Sequence, residues 1–172
     1  MITIEQPAMV WNCIQDWYIP DYKMQNSYQV DKNTKPYDII SNTESVALGF
    51  SGSKIKNLII NSHGSPGKIY AGTGIEIKEA EFFKRLAGKV ETIWIIACNV
   101  AYIEWKSDGS IIHDGNMFIS AISQYAMCKV KASTAIQKGN PFIKFGQIDD
   151  WEGDVYTYYN GAVIEFNGKK VN

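Results

Sequence analysis

A chain of 172 residues, 45% apolar and 20% charged, has the length and composition of one folded soluble domain that buries its own core. Its 17 basic and 18 acidic side chains nearly cancel, Arg85 is the sole arginine and no basic patch stands out, which excludes a nucleic-acid reader. Cys13, Cys98 and Cys128 are odd in number and far apart, which excludes a disulfide framework and fits a reducing compartment.

The N-terminus, Met-Ile-Thr-Ile-Glu-Gln-Pro, lacks a basic region followed by an apolar block, and no apolar run approaches bilayer length. The expectation is a cytoplasmic protein, or one secreted without a cleaved signal peptide, with no membrane partner. In chain order, Met9–Ile14 predicts a first strand, stopped by Pro20 and Asp21. The polar stretch Tyr22–Lys35 predicts a surface loop. Asp38–Leu48 predicts a helix with Asp38 as its cap, followed by a turn over 49–53.

Asn57–Ser62 predicts a buried second strand. Lys68–Ala71 and Gly74–Ile77 predict two short hairpin partners about the Gly72-Thr73-Gly74 turn. Lys78–Gly88 predicts a helix with Phe82, Phe83 and Leu86 on one face and Gly88 as its stop. Glu91–Ala97, apolar on both faces, predicts a central parallel strand. Glu104–Gly115 predicts a polar loop. Asn116–Met127 predicts a helix with Phe118, Ile122, Tyr125 and Ala126 inward, and Lys129–Ser133 a further strand. Asp154–Tyr159 and Ala162–Phe166 about Asn160-Gly161 predict a hairpin in a β-rich tail over 141–172. This alternation is that of a single α/β domain spanning 1–172, with a mostly parallel central sheet and a C-terminal hairpin.

Two strand ends carry the chemistry. Leu58-Ile59-Ile60 runs into Asn61-Ser62-His63-Gly64-Ser65-Pro66-Gly67, and Ile93-Trp94-Ile95-Ile96 runs into Ala97-Cys98-Asn99-Val100-Ala101. Parallel strands leave their binding crevice where they end, so His63 and Cys98 are expected side by side at one edge. A thiol beside an imidazole is a nucleophile beside its base. The attacked acyl oxygen becomes negative and needs waiting N–H groups, for which the amides of Gly64 and Cys98 are the candidates.

Ser62-His63-Gly64 after one apolar strand and Ala97-Cys98 after the next resemble the dyad of the caspase-like cysteine peptidases. The longer pattern, Ser62 to Gly67, Cys98 to Ala101 and then Ala132-Ser133-Thr134, resembles caspase-like domains of large bacterial surface or secreted proteins. The resemblance covers roughly 57–135 of the chain. It implies a caspase-like three-layer α/β sandwich with helices on both faces, His63 as acid or base, and Cys98 as nucleophile. Ser62, Asn99, Ser133 and Thr134 would flank the substrate. No cofactor or metal is implied. The implied partners are a protein or peptide substrate and an activator or immunity-type inhibitor protein, as for a bacterial effector, a toxin or a self-processing domain. Caspases carry Arg-Gly after the cysteine where this chain has Asn99-Val100, so aspartate specificity does not transfer. With a single arginine, neither does the inositol hexakisphosphate requirement of toxin peptidase domains.

Other readings compete. Cys98 could be a core thiol, His113 could replace His63, and Cys98, His63, His113 and Cys128 could supply four zinc ligands. His-Gly-Ser-Pro-Gly also occurs in α/β-hydrolases, but the Gly-x-Ser-x-Gly elbow they need is missing downstream. Trp105 and Trp151 are aromatic residues to look for near a pocket. Asp108, Asp114, Asp149 and Asp150 could form an acidic one. The function expected is a cysteine endopeptidase. The alternatives are a non-catalytic caspase-like binding module and a Cys-His amidase or deamidase.

Overall fold

The computed structural model describes residues 1–14 and 19–171. Its centre is an eight-stranded mixed sheet formed by β1 (Ala8–Cys13), β2 (Asn26–Val30), β3 (Ile55–Asn61), β4 (Val90–Ile96), β5 (Lys129–Ser133), β6 (Val155–Tyr159), β7 (Ala162–Phe166) and β8 (Lys169–Lys170). Across the sheet the order is β8-β7-β6-β5-β4-β3-β1-β2. The five strands from β2 to β5 are parallel, and the tail adds β6, β7 and β8 antiparallel. Asn160 and Gly161, at φ 49° and 82°, make the tight turn that joins β6 to β7.

Because side chains alternate along a strand, the registered partners form rows. Met9, Leu58, Ile93, Val130 and Tyr158 face one side, as do Trp11, Ile60, Ile95 and Ala132 one step on. Against these rows pack Ile39, Ile40 and Ala47 of α1 (Pro36–Gly49) and Phe118, Ile119, Ile122 and Ala126 of α2 (Gly115–Ala126). Ala80, Phe83 and Leu86 of a 3-10 segment (Ile77–Leu86) complete that layer. Trp11 Nε1 also donates to Thr43 Oγ1 of α1 at 2.8 Å, which satisfies two buried polar groups and pins the helix to the sheet.

The resemblance implied helices on both faces, and here the structure differs. These three helical segments contribute to one core. Among the described residues, the opposite core contains none of their side chains. Val10, Ile59 and Ile96 are covered there by Ile4, Tyr22, Met24 and Ile148, drawn from chain ends and loops. Short pairing of Ile2–Thr3 with Gln147–Ile148 fastens this irregular cover. The connections between the parallel strands carry the helices on one side only. The alternate row of apolar positions is then left to the N-terminus, residues 19–25 and residues 140–151.

Other boundaries moved for local reasons. The polar stretch 22–35 contains β2, an edge strand whose exposed Ser27 and Gln29 alternate with better-buried neighbours. α1 begins two residues before the expected start, with Pro36 in its first turn and Lys35 at the cap, so Asp38 is a first-turn acid rather than the cap. The segment expected as a helix over 78–88 is 3-10: its buried residues recur every third position, the period of that helix, and Phe82 is only partly covered. In α2, Ile119 is buried and Tyr125 only partly so, with Asp114 accepting from Met117 N at 2.8 Å as the cap. The loop expected over 104–115 is mostly a hairpin, Ile103–Trp105 against Ile111–Asp114. Of the hairpin expected over 68–77, Lys68–Ile69 pairs instead with Gly64–Ser65, and only an Ile69–Ile75 bridge remains.

Candidate active site

The register places the two strand ends at one level. Asn61, last in β3, pairs with Ile96, last in β4, and Asn12 of β1 pairs with Asn61. Ser62-His63 and Ala97-Cys98 therefore leave the sheet side by side, and Ser62 N still donates to Ile96 O at 3.2 Å. Both His63 and Cys98 are half-buried and line one cleft of about 480 Å³. The rest of its lining comes from residues 19–22 and 136–141, which reach over the strand ends.

Gly64 holds the two loops together. A Cβ there would lie 2.6 Å from Val100 Cγ2 and 2.9 Å from the Cys98 carbonyl oxygen. Only glycine permits so close an approach. Asn99, in the left-handed region at φ 56°, turns the chain after the thiol. Its N–H donates to Ala135 O at 2.9 Å, and Ala101 N donates to Ser133 O at 3.1 Å, so the cysteine loop is tied to the exit of β5.

The buried ends of β1 and β3 are polar but satisfied. Asn61 Nδ2 donates to Asn12 Oδ1 at 2.9 Å and to Pro20 O at 2.8 Å, while Asn12 exchanges bonds with the Tyr22 backbone. This network anchors residues 20–22 as one side of the cleft. The opposite segment is fastened through Gln137: its amide donates to Ala135 O and Glu152 O and accepts from Glu152 N. The Cys98 thiol donates to the Gln137 carbonyl at 3.8 Å. The two segments meet where a Cβ on Gly139 would come within 2.6 Å of Pro20 Cδ.

The three thiols differ sharply. Burial pushes Cys13 up to about 12 from 9.0, with a Ser62 hydrogen bond opposing it, and burial alone pushes Cys128 up to about 12. Both stay protonated and enclosed at neutral pH, whereas Cys98 opens onto the cleft. Iodoacetamide at neutral pH should therefore modify Cys98 first and spare the other two until the protein unfolds, as peptide mapping by mass spectrometry would read.

Other expected site residues lie elsewhere. Ser133 is buried; its hydroxyl donates to Glu152 O and accepts from Ala135 N at 3.1 Å, so it is a strut and not a substrate contact. Ser133→Ala should cost about 1–3 kcal/mol by orphaning those groups, seen as a lower urea midpoint. Thr134 bonds Asp154 O and lies outside the cleft lining, as does Asn99. Ser62 lines the cleft, but it is buried and its hydroxyl donates to His63 O at 2.8 Å.

His113 lines a separate cavity of about 420 Å³ with Lys68, Glu76 and Met117, which removes it as the partner of Cys98. Among the described residues no three His, Cys, Asp or Glu side chains gather as a metal site. Trp105 is exposed on its hairpin, and Trp151 stacks on Trp94 at 6.5 Å between ring centres; neither lines the cleft. Asp114 caps α2, Asp108 bonds Ser110 within its own turn, Asp149 accepts from Tyr22 Oη and Asn140 N, and Asp150 pairs with the N-terminal amine. The four do not gather into one pocket: Asp149 and Asp150 line, with Glu152, a pocket beside the cleft, and none of the four lines the cleft itself.

The cleft's second side was not anticipated. Ile136, Gln137, Gly139 and Pro141 all line it, and Gly139 and Pro141 were the visible signals.

No family model, curated protein or solved structure matches the chain. Among the described residues no helix is long and apolar enough to cross a membrane.

Proposed function

We propose that the chain is a cysteine hydrolase of protein or peptide amides, with Cys98 as nucleophile and His63 as its acid and base. One observation carries the reading: the half-buried thiol shares a cleft with His63 at the ends of paired parallel strands, while the other two thiols are sealed. The motif order supports a caspase-like peptidase, although one face of the sheet carries a strap in place of helices.

In the proposed reaction the Cys98 proton passes to His63, and the sulfur bonds to the substrate acyl carbon. The tetrahedral oxyanion collapses, the C–N bond breaks, and His63 returns the proton to the departing nitrogen. Water then attacks the thioester, its proton passes through His63 to the sulfur, and acid and free enzyme separate. Gly64 serves by letting the histidine loop lie against the cysteine loop. No metal or cofactor enters any step.

One contact favours a second reading, a caspase-like module that binds without turnover. The Cys98 thiol is already bonded to the chain's own Gln137 carbonyl. Incubation with a mixed peptide library separates the readings. New peptide termini that vanish in Cys98→Ala support the peptidase. Side-chain amides converted to acids without new termini would make it a deamidase. No Cys98-dependent product at all would leave only the binding module.

A further inference from the structure

Resting on the cysteine-hydrolase reading, we infer that the cleft takes an apolar substrate side chain next to the scissile bond. Its lining is dominated by Ile19, Pro20, Tyr22, Ile96, Ile136 and Pro141. The polar side chains among them are already engaged. The Asn61 amide N–H groups go to Asn12 and Pro20, the Ser62 hydroxyl to His63 O, and both ends of the Gln137 amide to backbone groups. A substrate side chain that needs a hydrogen-bond donor would have to displace these bonds, at a cost that an apolar one avoids.

Charge recognition has little to work with. Apart from His63, Cys98 and the Tyr22 phenol, Lys138 is the only ionisable side chain among the described lining residues, and it is exposed. A solitary exposed amine selects weakly for an acidic residue. The nearest carboxylates line an adjoining pocket. Asp149 there accepts from Tyr22 Oη and Asn140 N, and Glu152 accepts from Lys138 N. Both line that pocket and not the cleft, where an arginine or lysine beside the scissile bond would have to be held. A volume of about 480 Å³ fits a leucine- or phenylalanine-sized group with its flanking backbone.

The test is a set of peptidyl acyloxymethyl ketones that differ only in the residue beside the ketone: Leu, Phe, Asp, Lys or Arg. Modification rates at Cys98 are read by intact mass in the wild type and His63→Ala, with iodoacetamide as a probe that needs no subsite. The Leu or Phe reagent should react at least about tenfold faster than the charged ones, with the rate lost in His63→Ala. Ile136 is 65% exposed, so Ile136→Glu should fold normally and shift the preference toward Lys and Arg. Equal rates, or a charged reagent reacting fastest, with His63 still required, would overturn the apolar subsite and leave the dyad intact. Iodoacetamide and ketone rates both indifferent to His63 would overturn the dyad, and the subsite with it.

Discussion

Cys98→Ala should lower amide hydrolysis by about 10⁴-fold or more, and His63→Ala should do nearly the same. Neither loss should come from unfolding. Both side chains are half-buried at loop positions beyond the sheet, so neither truncation opens a hole in the core. The melting temperature of each variant should stay within a few degrees of the wild type. The double variant should be no worse than either single one, because in the proposed reaction nucleophile and base act as a unit. Steady-state turnover on any peptide that the wild type cleaves, run beside a thermal melt, checks all of this.

Gly64→Ala is the second large effect, and it acts without touching a reacting group. The new methyl would meet Val100 Cγ2 at 2.6 Å and Cys98 O at 2.9 Å, so one loop must move away from the other. Overpacking of this kind costs about 1–3 kcal/mol. A displacement of about 1 Å between nucleophile and base costs about 100-fold in rate. Gly49→Ala makes the comparison, since nothing lies within 4 Å of that position, and it should leave both turnover and stability as they were. Equal behaviour of the two variants would mean that the Gly64 contact has no part in holding the site.

The parallel core was legible because its strands are short apolar runs that end at polar residues. β3, β4 and β5 lie close to where those runs predict them, and Asn160-Gly161 marks its hairpin turn. That the His63 and Cys98 loops leave the sheet side by side was legible for the same reason: two buried runs stopping at reactive residues imply adjacent strand ends. What could not be read depends on contacts distant in sequence. β2 is an edge strand whose alternation is mild enough to resemble a loop. The buried triplet Ala80, Phe83 and Leu86 has the 3-10 period, but it also satisfies an amphipathic α-helix.

The strap over the second face and the far side of the cleft were illegible for a further reason. They are built by backbone groups and by side chains such as Gln137, Glu152 and Asn12, most of whose partners lie from 10 to 49 residues away. Ser133 shows the converse. Its place in a familiar motif suggested substrate, while its burial against Glu152 O makes it a fastening for the strap.

The most direct measurement is the second-order rate of Cys98 modification by iodoacetamide at mildly acidic pH, in the folded wild type and in His63→Ala. An imidazole that activates the thiol predicts a fast reaction at Cys98 that drops by tenfold or more, about 1.4 kcal/mol, in the variant. Equal rates in the two proteins, no faster than an ordinary exposed thiol, would contradict the shared site of His63 and Cys98.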